Sequence, residues 1–535
     1  MCIRDSIEVG AARHHMKAFL RNWKAAWETI EADAPFESIV SMLVDQLCDL
    51  LGFTIVDSRT YKHLHGFVVK APALLLKVPP RFPIIFLQCR EFSPSDIADL
   101  RDLMGILNMT SYFALLIDLN DNPERVERGK RLKWLVREVP HDFIVLDGTD
   151  LRRIILAKDH ERRLIDIILQ QVDLTVVSPY VTSGPVPENM FFGRDYELKT
   201  ITRRIRDSSF ALVGGRKIGK TSILAKVYRL LADTRDYFPL YLDCQSVRDY
   251  EAFFEAVSTM WEIHLPSHSP EHFRRLIAQR AKERIGETIV ILLDEVDALL
   301  RYDTTQREGL FGVFRALSQQ RYCRFVFCGE RVLNSRLHAP DSPLFNFCDV
   351  LTLSYLDPPT TRRIILEPME SLGVRFADPE AAVQEIISLS SCHPNIVQYI
   401  CQRLIVRINQ RGTRLITPED LEAVRRSSQF GEYFLEVMWG NTTPLERIIT
   451  LLFLDDEEFT MAQIEERLAQ EGVVAPSIMI EEAIEGLRLY SILEKQGQSY
   501  RFASQAFPRV VRETQDVKTL LDALKEQFRS SWPFM

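Results

Sequence analysis

Eight residues constrain this chain more than any others: Gly214-Gly215-Arg216-Lys217-Ile218-Gly219-Lys220-Thr221. They fit the pattern G-x-x-x-x-G-K-[ST] at every fixed position. Phe210-Ala211-Leu212-Val213 before them reads as a buried strand, and Ser222–Leu231 after them as a helix. Strand, glycine-rich loop and helix in that order make a cradle for phosphate oxygens. Glycines let the loop curl until its backbone N–H groups point inward, and the helix N-terminus adds the positive end of its dipole. In such a loop residues 214–222, Ser222 included, surround the phosphates of a nucleotide. Lys220 reaches the β- and γ-phosphates, and the Thr221 hydroxyl ligates Mg²⁺.

A second element follows downstream. Ile289-Val290-Ile291-Leu292-Leu293-Asp294-Glu295 is an apolar run that ends in two adjacent carboxylates. A buried strand holds two acids poorly unless something engages them at its end. Beside a phosphate loop, Asp294 would join Thr221 in the magnesium shell, and Glu295 would orient and deprotonate an attacking water. Asp297 extends the acidic cluster and reads as the cap of the helix that follows. Asp243 and Gln245, after the preceding strand, are candidates to tune the same water.

Five apolar runs, Phe210–Val213, Phe238–Asp243, Thr288–Asp294, Arg324–Cys328 and Val350–Ser354, alternate with helical segments. That alternation predicts a parallel sheet covered by helices. From Asp357 helices take over, with starts at Asp378-Pro379-Glu380 and Thr417-Pro418-Glu419-Asp420. Residues 176–190, with three prolines and Gly184, read as a semi-extended linker. Ahead of it the pattern is a helix (Phe36–Leu51), three strands (Gly52–Ser58, Gly66–Lys70, Phe82–Cys89), a helix (Ser95–Leu107) and two strands (Tyr112–Leu119, Phe143–Leu146). Leu151–Val172 reads as one long helix. Towards the other end come helices at Thr443–Leu454, Thr460–Ala469 and Ser477–Tyr490, then a strand pair, Ile492–Lys495 and Ser499–Phe502. Three helices and a hairpin in that order follow the winged-helix pattern.

The expected fold class is therefore α/β and multidomain, in keeping with 535 residues. The expected divisions are an α/β domain (16–175), the linker, a phosphate-loop domain (191–356), a helical lid (357–430), a winged helix (431–516) and a tail (517–535). Residues 1–6, Met1-Cys2-Ile3-Arg4-Asp5-Ser6, resemble a translated sequencing adapter; they are expected to be an artefact, with Met16 a candidate start. A net charge of −8 gives no global basic field to draw nucleic acid or an anionic membrane. No apolar run reaches the ~18–20 residues of a membrane helix. Nine cysteines without metal-knuckle spacing fit a reducing, cytoplasmic setting.

Residues 191–430 resemble the AAA+-related P-loop ATPases, specifically the STAND signalling group and the archaeal origin-recognition-like ATPases. Besides the two elements above, Phe191-Phe192-Gly193-Arg194-Asp195-Tyr196-Glu197-Leu198 resembles the F-x-G-R-x-x-E-L box of those families. The resemblance implies that Gly193 and Arg194 line the adenine pocket. Ser391-Cys392-His393-Pro394-Asn395 resembles the lid's G-x-P element, with Ser391 in the glycine's place. Pro394 is then implied to lie near the nucleotide, and His393 is either a cap or a nucleotide sensor. Gly329-Glu330-Arg331 holds the position of a polar sensor, so Arg331 would face the γ-phosphate or reach a neighbouring subunit. ATP and Mg²⁺ are the implied cofactors. A slow ATP hydrolase that switches between ATP and ADP, with a protein partner or self-assembly, is the implied function.

The first α/β domain faintly resembles restriction endonucleases, whose third strand carries E-x-K or Q-x-K. Here Leu87-Gln88-Cys89-Arg90 has arginine in the lysine's place, the second strand lacks its acid, and Asp57 lies on the first strand. That points to a sensor or scaffold rather than a working nuclease. A winged helix invites DNA, but residues 443–516 hold fourteen acids against seven bases. Its recognition helix would carry Glu481, Glu482 and Glu485 with Arg488 alone, and phosphate contacts dominate DNA affinity. A packing or autoinhibitory role is favoured; a DNA-associated ATPase is the alternative.

Overall fold

The structure, a computed structural model, describes residues 37–72, 76–87, 94–109, 113–118, 142–262 and 268–531, with positions 17–19, 21–25 and 28. The adapter-like start and Gln88-Cys89-Arg90 lie outside the described residues. The chain divides into two compact units. One comprises residues 1–179, 366–375 and 405–416; the other comprises 180–365, 376–404 and 417–535.

The first unit is built on a sheet of order β1-β2-β3-β4-β5, with β1 at Thr54–Tyr61, β2 at Leu64–Lys70, β3 at Arg81–Leu87, β4 at Phe113–Ile117 and β5 at Asp142–Leu146. β2 runs antiparallel to β1 and β3, whereas β3, β4 and β5 are mutually parallel. Helix Glu37–Leu51 buries Val40, Leu43, Val44, Leu47 and Leu51, the i, i+3, i+4 stripe of a core-facing helix. Helix Pro94–Ile106 sends Leu100, Leu103 and Met104 into the core shared with β2, β3 and β4. β1 begins two residues later than its sequence suggests and extends through Arg59 and Thr60, which an edge strand can leave exposed. Asp57 on that strand is exposed and paired with Arg59. The long helix expected over Leu151–Val172 is two helices, Gly148–Leu156 and His160–Ile168. Asp159 breaks it, because its side chain accepts the Arg162 N–H at 2.8 Å and starts a new helix.

The second unit carries a five-stranded parallel sheet of order β10-β6-β9-β8-β7. Its strands are β6 (Ser209–Gly214), β7 (Tyr237–Asp243), β8 (Thr288–Asp294), β9 (Cys323–Gly329) and β10 (Cys348–Leu353). Each matches an expected run to within two residues. Both faces are dry. Val213, Ile291, Leu293, Phe325 and Phe327 face a ring-rich core with Phe253, Phe273, Phe311 and Phe314. Phe210, Leu212, Val290, Leu292 and Val326 face helix Lys220–Ala232 through Ile223, Leu224 and Val227. Such two-sided burial is why these strands read as continuous apolar runs.

Helices then follow at Pro358–Ser371, Pro379–Ser390, Pro394–Gln410, Pro418–Arg425 and Ser428–Trp439. The last of these runs straight through the boundary expected at 430/431, burying Phe430, Gly431, Phe434 and Leu435. Helices Pro444–Leu452, Met461–Gln470 and Ser477–Leu489 come next, with a small sheet of Phe459–Thr460, Ser499–Phe502 and Leu493–Gln496 in that order. The expected linker also differs. Tyr180 belongs to the second unit, is 2% exposed, and donates its hydroxyl to the carbonyls of Ile364 and Ile365.

Candidate active site

The C-terminal ends of β6, β8 and β9 converge on the glycine-rich loop. Gly214 has φ +153°, and a Cβ there would stand 2.5 Å from the Leu353 carbonyl oxygen. Gly219 has φ +103° and opens the helix Lys220–Ala232. Only glycine takes both positions without strain. The Lys220 side chain, 4% exposed, reaches back to the carbonyls of Gly214 (3.0 Å) and Gly215 (2.8 Å) and to Glu330 Oε1 (3.2 Å).

Asp294, at the end of β8, is 1% exposed. Burial pushes its carboxyl pKa up, while hydrogen bonds from Thr221 and Tyr241 oppose the shift. The Tyr241 hydroxyl donates to Oδ2 at 3.2 Å, and the Glu295 N–H to Oδ1 at 3.1 Å. Thr221 and Asp294 thus meet side chain to side chain, the hard-oxygen donor pair that a Mg²⁺ ion takes, so these residues fit the ion. Glu295 follows with φ +52°, a left-handed conformation. Burial raises its carboxyl pKa to about 7; the Lys220 charge works against that rise, and Glu330, Asp294 and Asp297 add to it.

A cavity of about 290 Å³ opens over the loop. Its walls include Arg216, Lys217, Ile218, Gly219, Lys220, Thr221 and Ser222, with Glu295, Gln245, Pro394, Asn395 and Gln398. Val181, Thr182, Ser183, Gly184, Val186 and Glu330 complete it. The segment expected to be a linker is therefore a wall of the site. The Val186 N–H donates to Ser222 Oγ (3.1 Å), the Val181 N–H to Gln398 (3.0 Å), and Asn395 donates to the Thr182 carbonyl (3.0 Å). A second cavity of about 600 Å³ shares Arg216, Gln245, Glu295 and Glu330 with the first. It adds Asp297, Arg301, Arg331, Asn441 and Tyr490.

Other sequence candidates stand behind the cavity or beside it. Arg194, at φ +63°, donates to the Ile218 carbonyl (3.3 Å) and the Ser354 carbonyl (2.5 Å) and pairs with Glu197. It ties the loop to the end of β10 rather than lining the cavity. Gly193 packs on Thr360, whose Cγ2 a Cβ would meet at 2.8 Å. His393 is 3% exposed and is bonded to the Arg216 backbone; burial lowers its pKa to about 3, so the ring is neutral. Its carbonyl accepts the Val397 N–H at 3.0 Å at the start of helix Pro394–Gln410, the cap position, and its side chain is not part of the cavity lining. Ser391 adopts φ +49°, the conformation for which glycine is the cheaper choice, and bonds to Ser504 (2.9 Å).

Two expectations need correction. Asp297 does not cap its own helix, Asp297–Thr305, whose N-cap is Val296. Its carboxylate instead accepts the N–H groups of Glu330 (2.6 Å) and Val332 (2.7 Å), capping the helix Arg331–His338 after β9. Arg331 does not reach the loop. It forms a two-point pair with Glu446 (Nη1–Oε1 2.6 Å, Nη2–Oε2 2.8 Å) and lies 5.4 Å from the centre of the Tyr490 ring. Sequence reasoning missed the partners of the loop from the last third of the chain. Lys217 sits over the Tyr433 ring at 4.6 Å and, with Arg216, faces Glu436. The backbone of Tyr490 lies 3.3 Å from where a Cβ on Gly215 would stand. It also missed Glu330, although its place directly after a strand that ends at the loop was a signal.

Residues 203–337 match the AAA domain. That match spans the glycine-rich loop, the acidic strand end and β9, and so covers the parallel sheet of the second unit except β10. Among solved structures, a Walker-type ATPase of Pyrococcus abyssi is 16% identical, with a TM-score of 0.48, over 62% of this chain and 99% of that one. The ORC2 protein of Aeropyrum pernix is 11% identical, with a TM-score of 0.45, over 64% and 95%. Cdc6p of Pyrobaculum aerophilum is 17% identical, with a TM-score of 0.36, over 67% and 99%. Curated proteins give no match. No helix among the described residues is long and apolar enough to cross a membrane.

Proposed function

We propose that this chain is a Mg²⁺-dependent P-loop ATPase of slow turnover that works as a nucleotide-operated switch of the STAND kind, acting on a protein partner or on copies of itself in the cytoplasm. The observation that carries the reading is that Lys220, Thr221 and Glu295 line one small cavity, with the buried Asp294 bonded to Thr221 behind it, inside the region that matches the AAA domain. Lys220 and the loop N–H groups hold the β- and γ-phosphates, with Arg216, Lys217 and Ile218 shaping the loop around them. Thr221 and Asp294 hold the magnesium, whose charge offsets that of the phosphates. Glu295, with a pKa near 7, accepts a proton from water approaching through the second cavity, where Gln245 stands beside it. Val181–Val186 and Pro394 close the nucleotide's remaining sides, and His393 and Arg194 brace the loop from outside.

The switch half of the reading rests on how the winged-helix region is used. Its first helix supplies Glu446 to Arg331, and the end of its third helix lays Tyr490 on the loop. Glu481, Glu482 and Glu485 are exposed on that third helix, a poor surface for a phosphate backbone. The restriction-endonuclease-like first unit then serves as sensor or scaffold. Two measurements test the proposal. Lys220→Ala should abolish ATP binding by calorimetry; retained affinity would sink the phosphate-loop assignment. An electrophoretic shift at two salt concentrations should find no duplex binding at either, and binding that is strong at the lower salt and weakens at the higher would favour the DNA-associated alternative.

A further inference from the structure

The turn after β9 places two adjacent charged side chains in different tasks. Glu330 enters the cavity, where Oε1 stands 3.2 Å from Lys220 Nζ and Oε2 accepts the Asn441 amide at 2.5 Å. Arg331 faces the other way and pairs with Glu446, whose carboxylate is fully buried. Gly486 leaves room for that pair, since a Cβ there would stand 2.0 Å from Glu446 Oε1. Asp297 holds the backbone of the turn through the N–H groups of Glu330 and Val332, so the side chain of Glu330 is the part free to swing.

An ammonium has three donors, and Lys220 uses them on the carbonyls of Gly214 and Gly215 and on Glu330. A terminal phosphate can therefore gain Lys220 only by displacing one of them. Glu330 is the displaceable one, because the two carbonyls belong to the loop itself. It is also the one that a third phosphate repels, being an anion in the same pocket.

We infer that Glu330 is a built-in competitor for the terminal phosphate, setting the preference of this site for nucleoside diphosphate over triphosphate. When a triphosphate takes Lys220, Glu330 swings out, lets go of Asn441 and loosens the turn that carries the Arg331–Glu446 pair. A ligand moves such an equilibrium only by its differential affinity for the two arrangements, and the γ-phosphate supplies that difference. The inference rests on the nucleotide reading above and adds a specificity-determining residue to it.

The test uses the full-length chain with Mg²⁺, titrated by calorimetry with ADP and with a non-hydrolysable ATP analogue. Glu330→Gln keeps the shape and removes the charge. It should tighten the ATP analogue at least tenfold and change ADP less than threefold. Asn441→Ala, at an exposed position, should move the ratio the same way by a smaller factor, and it decides alone if Glu330→Gln does not fold. Affinities that shift together, or not at all, overturn the competitor while leaving nucleotide binding intact. A parent chain that binds neither nucleotide overturns both readings at once.

Discussion

Glu295 combines two costs, a left-handed backbone at φ +52° and a carboxyl held near pH 7 by burial. A strained backbone at a strand end and a proton affinity matched to neutral water would both suit the base proposed for the reaction. The shift is upward, so the group is protonated below about pH 7 and available as a base only above it. The expected kcat/KM profile for ATP hydrolysis rises through a limb near pH 7. Glu295→Gln should bind ATP yet hydrolyse it at least a hundredfold more slowly, without that limb. An unchanged single-turnover rate would move the base to Asp297 or Asp294. His393 carries the opposite sign. Its pKa falls from 6.5 in the unfolded chain to about 3 in the fold, so the unfolded state binds more protons between those values. Stability is therefore complete above pH 6.5 and is lost as pH falls towards 3, at up to about 1.4 kcal/mol per pH unit for one proton. His393→Asn should flatten the acid limb of a urea-denaturation series; an identical slope would mean that other groups carry it.

Among the elements, the short helix Asp297–Thr305 does more than its length suggests. Asp297 caps the helix after β9, and Asp303, 0% exposed, accepts the N–H groups of Leu310 and Phe311 at the start of Gly309–Gln319. That second helix has Glu308 as its N-cap, at φ +57° and with no side-chain cap bond of its own. One helix thus supplies the caps of two others. Capping across elements is invisible in a sequence, where an acid at a helix start reads as serving its own helix. Strand ends, by contrast, were legible to within two residues in the parallel sheet of the second unit, because burial of the inner strands on both faces writes them as unbroken apolar runs. Asp297→Ala would leave buried N–H groups unpaired and should cost about 2 kcal/mol. It should also raise protease access at 329–333. A thermal midpoint equal to the parent's would show that the turn is held by other means.

For the whole molecule, sequence and structure part most clearly over where the joints lie. The phosphate loop and acidic strand were legible because each is a local pattern with its own chemistry. The partners of the loop were not, since Tyr433, Glu436 and Tyr490 reach it from more than 200 residues away and carry no motif. Proline-rich composition suggested a free linker at 176–190, whereas Tyr180 is buried and Val181–Val186 wall the cavity. The boundary expected at 430/431 moves likewise, because Ser428–Trp439 is a helix with its apolar face buried. What remains between that helix and the next is Gly440-Asn441-Thr442-Thr443, which includes the Asn441 that holds Glu330.

Those positions define the last prediction. A bound triphosphate should order the wall at 181–186 by adding contacts to it, and should release Asn441 from Glu330. Limited proteolysis of Glu295→Gln, which keeps ATP unhydrolysed, is therefore expected to show less cleavage at 181–187 with ATP than with no nucleotide. Cleavage at 440–443 should be greater with ATP than with ADP. The two sites answer separate questions, since protection of the wall reports occupancy and exposure of the short joint reports coupling. Protection at the wall with no difference at 440–443 would leave an ATPase whose nucleotide state stays local to its pocket. A difference at both would mean that hydrolysis at Glu295 is read out in the last hundred residues of the chain.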